Sequence, residues 1–189
     1  MSTARESFGA AAVNGIIYVM GGYSGGVNAI TIRSVEAYNP SNNTWTKKAD
    51  MPGNLAPLGA AEVDGIINAV GEYATYAYNP LNNTWIDVKA PMLTRRSDFG
   101  IVAVEGIIYA IGGEVGPLQD TNIVEAYNPK TDKWTTQTSM PTPRSDLGVA
   151  AVENVIYAIG GVANNPSGSG YRTNTVEAYY PTEVPPMSC

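Results

Sequence analysis

The sequence predicts an all-β protein composed of many short antiparallel strands, and three observations lead to this prediction. The 189 residues include 20 Gly, 13 Pro and 12 Tyr but only 15% charged residues, a mixture typical of strands joined by tight turns. Two-residue turn signals recur between short apolar runs. A block of sequence also repeats four times, and hydrophobic residues make up 44% of the chain, which is enough for a sizeable core.

The first half of each repeat is an apolar stretch that aligns without gaps in all four copies. The stretches are GAAAVNGIIYVMGG from Gly9, GAAEVDGIINAVGE from Gly59, GIVAVEGIIYAIGG from Gly100 and GVAAVENVIYAIGG from Gly148. Their central dipeptides are Asn14-Gly15, Asp64-Gly65, Glu105-Gly106 and Glu153-Asn154. Asn-Gly and Asp-Gly between apolar runs favour a two-residue hairpin, because both turn residues need a positive φ. In the first repeat we therefore predict strand a over 9–13 and strand b over 16–20.

The second half of each repeat supplies two further strands. In the first three copies a tyrosine stands seven residues before a tryptophan, in the pairs Tyr38 and Trp45, Tyr78 and Trp85, and Tyr127 and Trp134. Strand c is predicted over 35–38 and ends at Asn39-Pro40, because proline removes a ladder donor. Strand d is predicted from near Trp45 to before Met51-Pro52. Four short strands in about 47 residues make one blade of a β-propeller.

The glycine pair after strand b, the tyrosine before Asn-Pro and the tryptophan seven residues later together resemble the kelch repeat. The resemblance covers the whole chain. It implies a β-propeller in which each tryptophan packs against the neighbouring blade and the glycines permit close backbone approach. We predict a single domain over residues 1–189, with repeats at about 1–52, 53–92, 93–141 and 142–189.

Two repeats depart from the pattern. The second has Gly71-Glu72 in place of the glycine pair and Asn68 where the others have tyrosine. The fourth has no tryptophan and ends in Glu183-Val184-Pro185-Pro186, a sequence unsuited to a ladder strand. We therefore expect its outer strand to be missing or rudimentary.

Loop lengths indicate which face of the propeller binds a partner. From the first glycine of the pair position to the strand-c tyrosine the spacing is 17, 7, 15 and 19 residues, whereas the a–b turn is constant. The d–a connection reaches the same face and carries Arg5, Arg96 and Arg144, with Leu55 in the second repeat. A partial ring of solvent-facing arginines would clamp carboxylates, and the resemblance implies contacts with acidic peptides. The alternative is local pairing with acidic neighbours, which are Glu6, Asp98 and Asp146.

Five other side chains on the b–c loops are candidates for partner binding, because tyrosine and arginine are enriched at binding hot spots. They are Tyr23, Arg33, Tyr73, Tyr171 and Arg172. Glu62 replaces the alanine that other repeats carry in strand a, and it is expected to line a solvated channel or contact a ligand. Ser167–Gly170 is expected to form a mobile loop.

Composition argues against several functions. The net charge of −6 disfavours a nucleic-acid partner, and the absence of His together with a single Cys, Cys189, disfavours metal and thiol chemistry. We expect a protein-interaction module that is not an enzyme and has no cofactor, metal site or catalytic residue. The alternative is a carbohydrate-binding or sugar-isomerising propeller similar to the sialic acid mutarotases of this family.

The remaining expectations concern location and assembly. No apolar stretch has the length of a signal peptide or a membrane span, so a cytoplasmic location is the default expectation and no membrane partner is expected. Four blades are few for this family, and an unclosed ring exposes strand edges and apolar blade surfaces. We therefore expect a homodimer in which a second copy covers these surfaces. The alternative is a closed four-bladed monomer.

Overall fold

The computed structural model describes residues 1–56, 58–117, 119–164 and 170–181, and it contains four antiparallel sheets, one from each repeat. The first two are β1 (Gly9–Val13), β2 (Ile16–Met20), β5 (Val35–Asn39) and β6 (Thr44–Lys48), then β7 (Leu58–Val63), β8 (Ile66–Gly71), β9 (Thr75–Asn79) and β10 (Thr84–Lys89). The others are β11 (Gly100–Val104), β12 (Ile107–Ile111), β13 (Val124–Asn128) and β14 (Lys133–Thr136), then β15 (Gly148–Val152), β16 (Val155–Ile159) and β19 (Val176–Tyr179). The inner strands β1, β7, β11 and β15 lie side by side in that order, which is a propeller arrangement. The predicted all-β propeller is confirmed.

Each blade begins with the predicted two-residue hairpin. In the first blade Val13 pairs with Ile16, and the turn residues Asn14 and Gly15 have φ values of 49° and 76°. The other three turns have the same positive-φ pair, so the hairpin prediction holds in all four blades. In blade 4 the second turn position is Asn154, with φ of 65°, because asparagine tolerates this conformation better than most residues.

The b–c connections form small ribbons on one side of the molecule. In blade 1, β3 (Tyr23–Ser24) pairs with β4 (Ile30–Thr31), and a 3₁₀ turn, Gly26–Asn28, lies between them. In blade 4, β17 (Val162–Asn164) pairs with β18 (Gly170–Arg172). The predicted mobile loop before Gly170 lies outside the described residues.

The glycine pair after strand b allows the d–a loop of the same blade to pass against it. Gly22 and Gly113 have φ values of 87° and 104°. A Cβ atom at either position would collide with a backbone carbonyl of the d–a loop, that of Glu6 at Gly22 and that of Ser97 at Gly113. Only glycine fits there, and the two connections are therefore held together on one face.

The core consists of three layers, one between each pair of consecutive blades. Trp85 and Trp134 reach into these layers and donate from Nε1 to the carbonyl oxygens of Ala49 and Ala90 in the preceding blade, at 3.0 and 2.9 Å. Trp45 differs, because none of the described blades packs against it from that side, and 37% of its surface is exposed. The prediction that each tryptophan packs between blades is therefore wrong for Trp45.

The fourth sheet has three strands within the described part of the chain, in the order β15-β16-β19. Its predicted rudimentary outer strand would follow residue 181, outside the described residues. Among the described residues, blade 4 does not pack directly on blade 1, since Val152 and Val176 on blade 4 and Ile17 on blade 1 are exposed. None of the described segments forms a helix of the length and apolarity that a membrane crossing requires.

Candidate interaction face

We call the side of the propeller that carries the b–c and d–a connections the loop face. The three arginines predicted to face solvent here are instead buried, and each forms an ion pair with the strand-c glutamate of its own blade. The pairs are Arg5–Glu36 at 2.9 Å, Arg96–Glu125 at 2.9 Å and Arg144–Glu177 at 2.8 Å. None of the three arginine side chains has exposed surface. The expectation of a solvent-facing ring is therefore wrong, and so is the alternative of pairing with a neighbour in sequence.

The guanidinium groups also bind backbone carbonyl oxygens, which explains why they are buried. Arg96 donates from Nε to the carbonyl oxygen of Gly112 at 2.9 Å and from Nη2 to that of Ala110 at 3.0 Å. Arg144 donates from Nη1 to the carbonyl oxygen of Gly160 at 2.9 Å. A guanidinium group has five N–H donors in a fixed geometry, so it can bind a glutamate and several carbonyl groups at once. These arginines therefore attach the d–a loop to the end of strand b and position the loop face from beneath.

The second blade lacks both members of this pair. Leu55 stands at the arginine position and is buried, and Tyr76 stands at the glutamate position. Loss of only one partner would leave an uncompensated buried charge, so the two positions change together. This joint change across the repeats was the signal in the sequence that the arginines and the strand-c glutamates are partners.

The pKa of the Glu36 carboxyl is lowered by the hydrogen bonds that this side chain accepts. Burial alone would raise the pKa of this carboxyl, but hydrogen bonds from the backbone and hydroxyl of Ser2, from Arg5 and from the backbone of Thr3 outweigh burial and lower the pKa to about 2. A carboxylate that accepts several hydrogen bonds is favoured in its charged form. The N-terminal residues are thereby attached to blade 1.

This pKa shift predicts a specific acid sensitivity. Because the pKa of Glu36 lies below its ordinary value of 4.5 in the folded state, the unfolded state binds the proton first as pH falls. The stabilisation is complete above the ordinary value and is lost as pH decreases toward about 2. We expect Glu36→Gln to be less stable than the wild type at neutral pH by on the order of 3 kcal/mol. That difference should shrink from about pH 5 to about pH 2 in urea titrations.

Glu153→Gln, in an exposed turn of blade 4, is the control for this titration. Its free energy of unfolding should follow that of the wild type across the same pH range. A constant gap between Glu36→Gln and the wild type would show that the charge of Glu36 does not stabilise the fold.

A recess of about 290 Å³ opens where the four d–a loops meet. The residues that line it come from all four blades: Ser7, Phe8, Leu58, Asp98, Phe99, Asp146 and Leu147. Sequence reasoning missed this site because it treated the acidic residues as partners for arginine. A serine or aspartate two residues after each arginine was the available signal.

Backbone conformation directs polar groups into the recess. Ser7, Asp98 and Asp146 have φ values of 51°, 54° and 50°, and the Asp146 amide donates to the Asp98 carbonyl oxygen at 2.9 Å. Burial, followed by the nearby carboxylates of Asp98 and Asp120, raises the pKa of Asp146. Since none of the lining residues is basic, the recess suits an apolar group that carries hydrogen-bond donors better than it suits an anion.

The other predicted binding residues lie around the rim of the loop face. Tyr73 and Tyr171 are 63% and 51% exposed, and Arg33 and Arg172 are also exposed. Tyr23 is half-buried and donates to the carbonyl oxygen of Ala56 at 3.0 Å, which connects it to the next blade.

A rim cluster that the sequence did not indicate connects blade 2 with the d–a loop of blade 3. Arg95 lies over the Tyr73 ring at 4.0 Å from its centroid and pairs with Glu72 at 3.3 Å. Glu62, the candidate channel residue, is placed at the opposite end of the blade, where its Oε1 accepts from the backbone N–H of Gly65 at 2.5 Å. A role in its own turn therefore accounts for Glu62. The described residues contain no group of three or more His, Cys, Asp or Glu placed to hold a metal ion.

Blades of antiparallel strands around a central recess define a β-propeller. Comparison with known proteins identifies the propeller family to which the chain belongs. The Kelch motif model matches residues 4–52, 95–141 and 143–188, well over half of the chain, so the chain belongs to the Kelch-motif family. The unmatched segment is the second repeat, which lacks the arginine, the glutamate and the full glycine pair.

Similar proteins include Kelch-like protein 35 of Mus musculus, 28% identical over 142 residues, and Kelch-like protein 26 of Danio rerio, 27% identical over 150 residues. The alignments cover 69% and 74% of this chain but 22% and 24% of those proteins. Kelch-like protein 23 of Pongo abelii is 30% identical, with 70% and 24% covered. The chain thus spans less than a quarter of the length of these relatives.

The solved structure of YjhT superimposes with a TM-score of 0.79 at 15% identity, over 93% of this chain and 69% of that chain. This likeness supports the propeller fold.

Proposed function

We propose that this chain is a non-catalytic interaction module that binds a protein partner through the loop face. The observation that carries the proposal is that this face combines a fixed base with exposed loops of different lengths. Buried Arg–Glu pairs fix the bases of the d–a loops, while b–c ribbons of different lengths present exposed aromatic and basic side chains above them. A rigid base with variable loops is the usual arrangement of a binding surface.

The chemistry of this face limits the choice of partner. Arg5, Arg96 and Arg144 are excluded as contacts because their side chains are buried and each is already paired with a glutamate. We propose instead that contacts are made by Tyr73, Tyr171, Arg33, Arg172 and the newly found Arg95. An acidic partner would bind at these rim arginines, and a donor-bearing apolar side chain would occupy the recess.

A selection experiment tests which face binds. Peptides selected from a random library on the immobilised chain should bind Tyr73→Ala and Arg95→Ala at least about 10-fold more weakly than the wild type, a loss of about 1.4 kcal/mol. Lys130→Ala is the control, because Lys130 is exposed in the c–d turn of blade 3 on the opposite face. Affinity that depends on Lys130 and ignores Tyr73 and Arg95 would contradict the proposal.

The carbohydrate alternative has one observation in its favour. The recess combines the rings of Phe8 and Phe99 with the carboxylates of Asp98 and Asp146, and apolar surfaces with a few polar groups are typical of small-molecule sites. A screen of sialic acids and neutral sugars by thermal shift tests it, since a ligand stabilises the fold in proportion to its occupancy. A multi-degree shift that Asp146→Asn abolishes would favour this alternative.

A further inference from the structure

Two of the layers between blades hold a tryptophan in the same way. Between blades 1 and 2, Nε1 of Trp85 donates to the carbonyl oxygen of Ala49 at 3.0 Å, and the Trp85 ring lies 5.0 Å from the Tyr78 ring. Ala49 stands two positions before Met51, which belongs to the same layer. Between blades 2 and 3 the corresponding residues are Trp134, Ala90, Tyr127 and Met92. An indole ring at this repeat position therefore needs one carbonyl acceptor and one tyrosine ring.

The fourth repeat has no tryptophan for the equivalent site between blades 3 and 4. The residue seven positions after Tyr179 is Pro186, and proline has neither an aromatic ring nor an N–H donor. The receiving residues are nevertheless retained. Thr138 stands two positions before Met140, as Ala49 stands before Met51, and Tyr179 takes the place of Tyr78 in its repeat.

A cavity of about 300 Å³ lies at this site, and Thr138, Met140 and Tyr179 are among the residues that line it. Its apolar lining reproduces the surroundings of Trp85. The lining residues Ile111, Met140, Ile156, Ala158 and Tyr179 correspond to Met20, Met51, Ile67, Ala69 and Tyr78 of the Trp85 layer. The cavity thus has the walls of a tryptophan site.

The tyrosine of this cavity is already in the position that it has in an occupied site. The Tyr179 ring lies 6.0 Å from the Tyr109 ring of blade 3, with an angle of 56° between the ring planes. The Tyr78 ring lies 5.9 Å from the Tyr18 ring of blade 1, with an angle of 59°. Tyr78 is fully buried, whereas Tyr179 is only half-buried. One surface of the Tyr179 ring is therefore available to another group.

The charge of the lining favours a neutral ligand. Among the described residues that line the cavity, Glu177 is the one with a charged side chain, and it is paired with Arg144 at 2.8 Å. Apolar walls with a few fixed polar groups are typical of sites that bind small aromatic molecules, and the volume is at the lower end of their usual range.

We propose that the cavity between blades 3 and 4 binds an indole ring from another molecule, in the position that Trp85 and Trp134 occupy in their own layers. The ring packs against Tyr179, and its N–H donates to the carbonyl oxygen of Thr138. A preformed apolar cavity takes up a small aromatic molecule without rearrangement of the fold. None of the candidate contacts on the loop face lines this cavity, so the inference goes beyond the proposed function and does not depend on it.

Titration of the full chain with indole tests the proposal, with the methionine methyl groups observed by NMR. The Met140 methyl resonance should shift and saturate. The Met51 and Met92 resonances are internal controls and should stay in place, because Trp85 and Trp134 already occupy their layers. 1-Methylindole has no N–H donor and should bind about 5-fold more weakly than indole.

Tyr179→Ala removes the ring that faces the ligand and should weaken indole binding at least about 10-fold. Tyr171→Ala is the matched control, because Tyr171 belongs to the same blade but is exposed on the loop face, and it should bind indole like the wild type. The comparison of indole with 1-methylindole uses the wild type, so it decides the question even if Tyr179→Ala fails to fold.

N-Acetyltryptophanamide distinguishes the two sources of an indole ring. Competition with indole at the Met140 methyl would support the proposal with a tryptophan side chain of a polypeptide as the source. Binding of indole without such competition would support it with a small indole compound as the source. The proposal would be overturned by the absence of a saturable Met140 shift, by equal shifts at Met51 and Met92, or by equal affinities for indole and 1-methylindole.

Discussion

Arg96→Ala is expected to destabilise the fold by about 3–5 kcal/mol, a large part of the stability of a typical domain. The substitution leaves the fully buried carboxylate of Glu125 without its ion-pair partner at 2.9 Å, and it removes the donors to the carbonyl oxygens of Gly112 and Ala110. Urea titrations of the wild type and the variant, compared at equal m-values, measure the difference.

The neighbouring residue supplies a matched control. Arg95 is 62% exposed and pairs with Glu72 on the surface, so Arg95→Ala should cost no more than about 1 kcal/mol. Equal midpoints for the two variants would show that the buried pair contributes nothing to stability.

A double variant tests whether the cost comes from the unpaired charge. The second blade carries Leu55 and Tyr76 at the two positions, so Arg96→Leu combined with Glu125→Tyr imitates an arrangement that the chain already contains. We expect the double variant to be more stable than Arg96→Leu alone, because neither charge is then left buried without a partner. A loss equal to the sum of the single losses would contradict this reason.

Trp134→Ala is the second large effect that we expect, again about 3–5 kcal/mol. The Trp134 ring stacks on Tyr127 with centroids 5.1 Å apart and fills the layer between blades 2 and 3, where Nε1 bonds to Ala90. Removing it leaves a cavity and an unpaired carbonyl group. Chemical denaturation measures the loss, and Trp134→Phe, which retains most of the ring, should lose less.

Trp45 is the control within the same chain. It occupies the same repeat position and lies 5.0 Å from the Tyr38 ring, but it faces solvent where Trp134 faces a blade. Trp45→Ala should cost well under half as much as Trp134→Ala. Equal losses would mean that packing against the preceding blade is not what stabilises the tryptophan.

The predictable part of the fold depended on local physics. The Asn14-Gly15 turn between two apolar runs and the stop at Asn39-Pro40 involve residues a few positions apart, so backbone sterics specify them within one repeat. The four matched copies then specify the propeller, because a blade can bury its faces only against other blades. The loop face followed from the same reasoning, since all the length variation occurs on one side.

Contacts distant in sequence decided the rest. Arg96 meets Glu125 at a separation of 29 residues, and its burial depends on carbonyl groups that become available only after strand b has folded against the d–a loop. Trp45 and Trp134 have similar local sequences but different environments, because the presence of a preceding blade is a property of the assembled ring. The sequence by itself determined which side chains repeat. The tertiary structure decided which of them are buried, because burial depends on packing between elements that are distant in sequence.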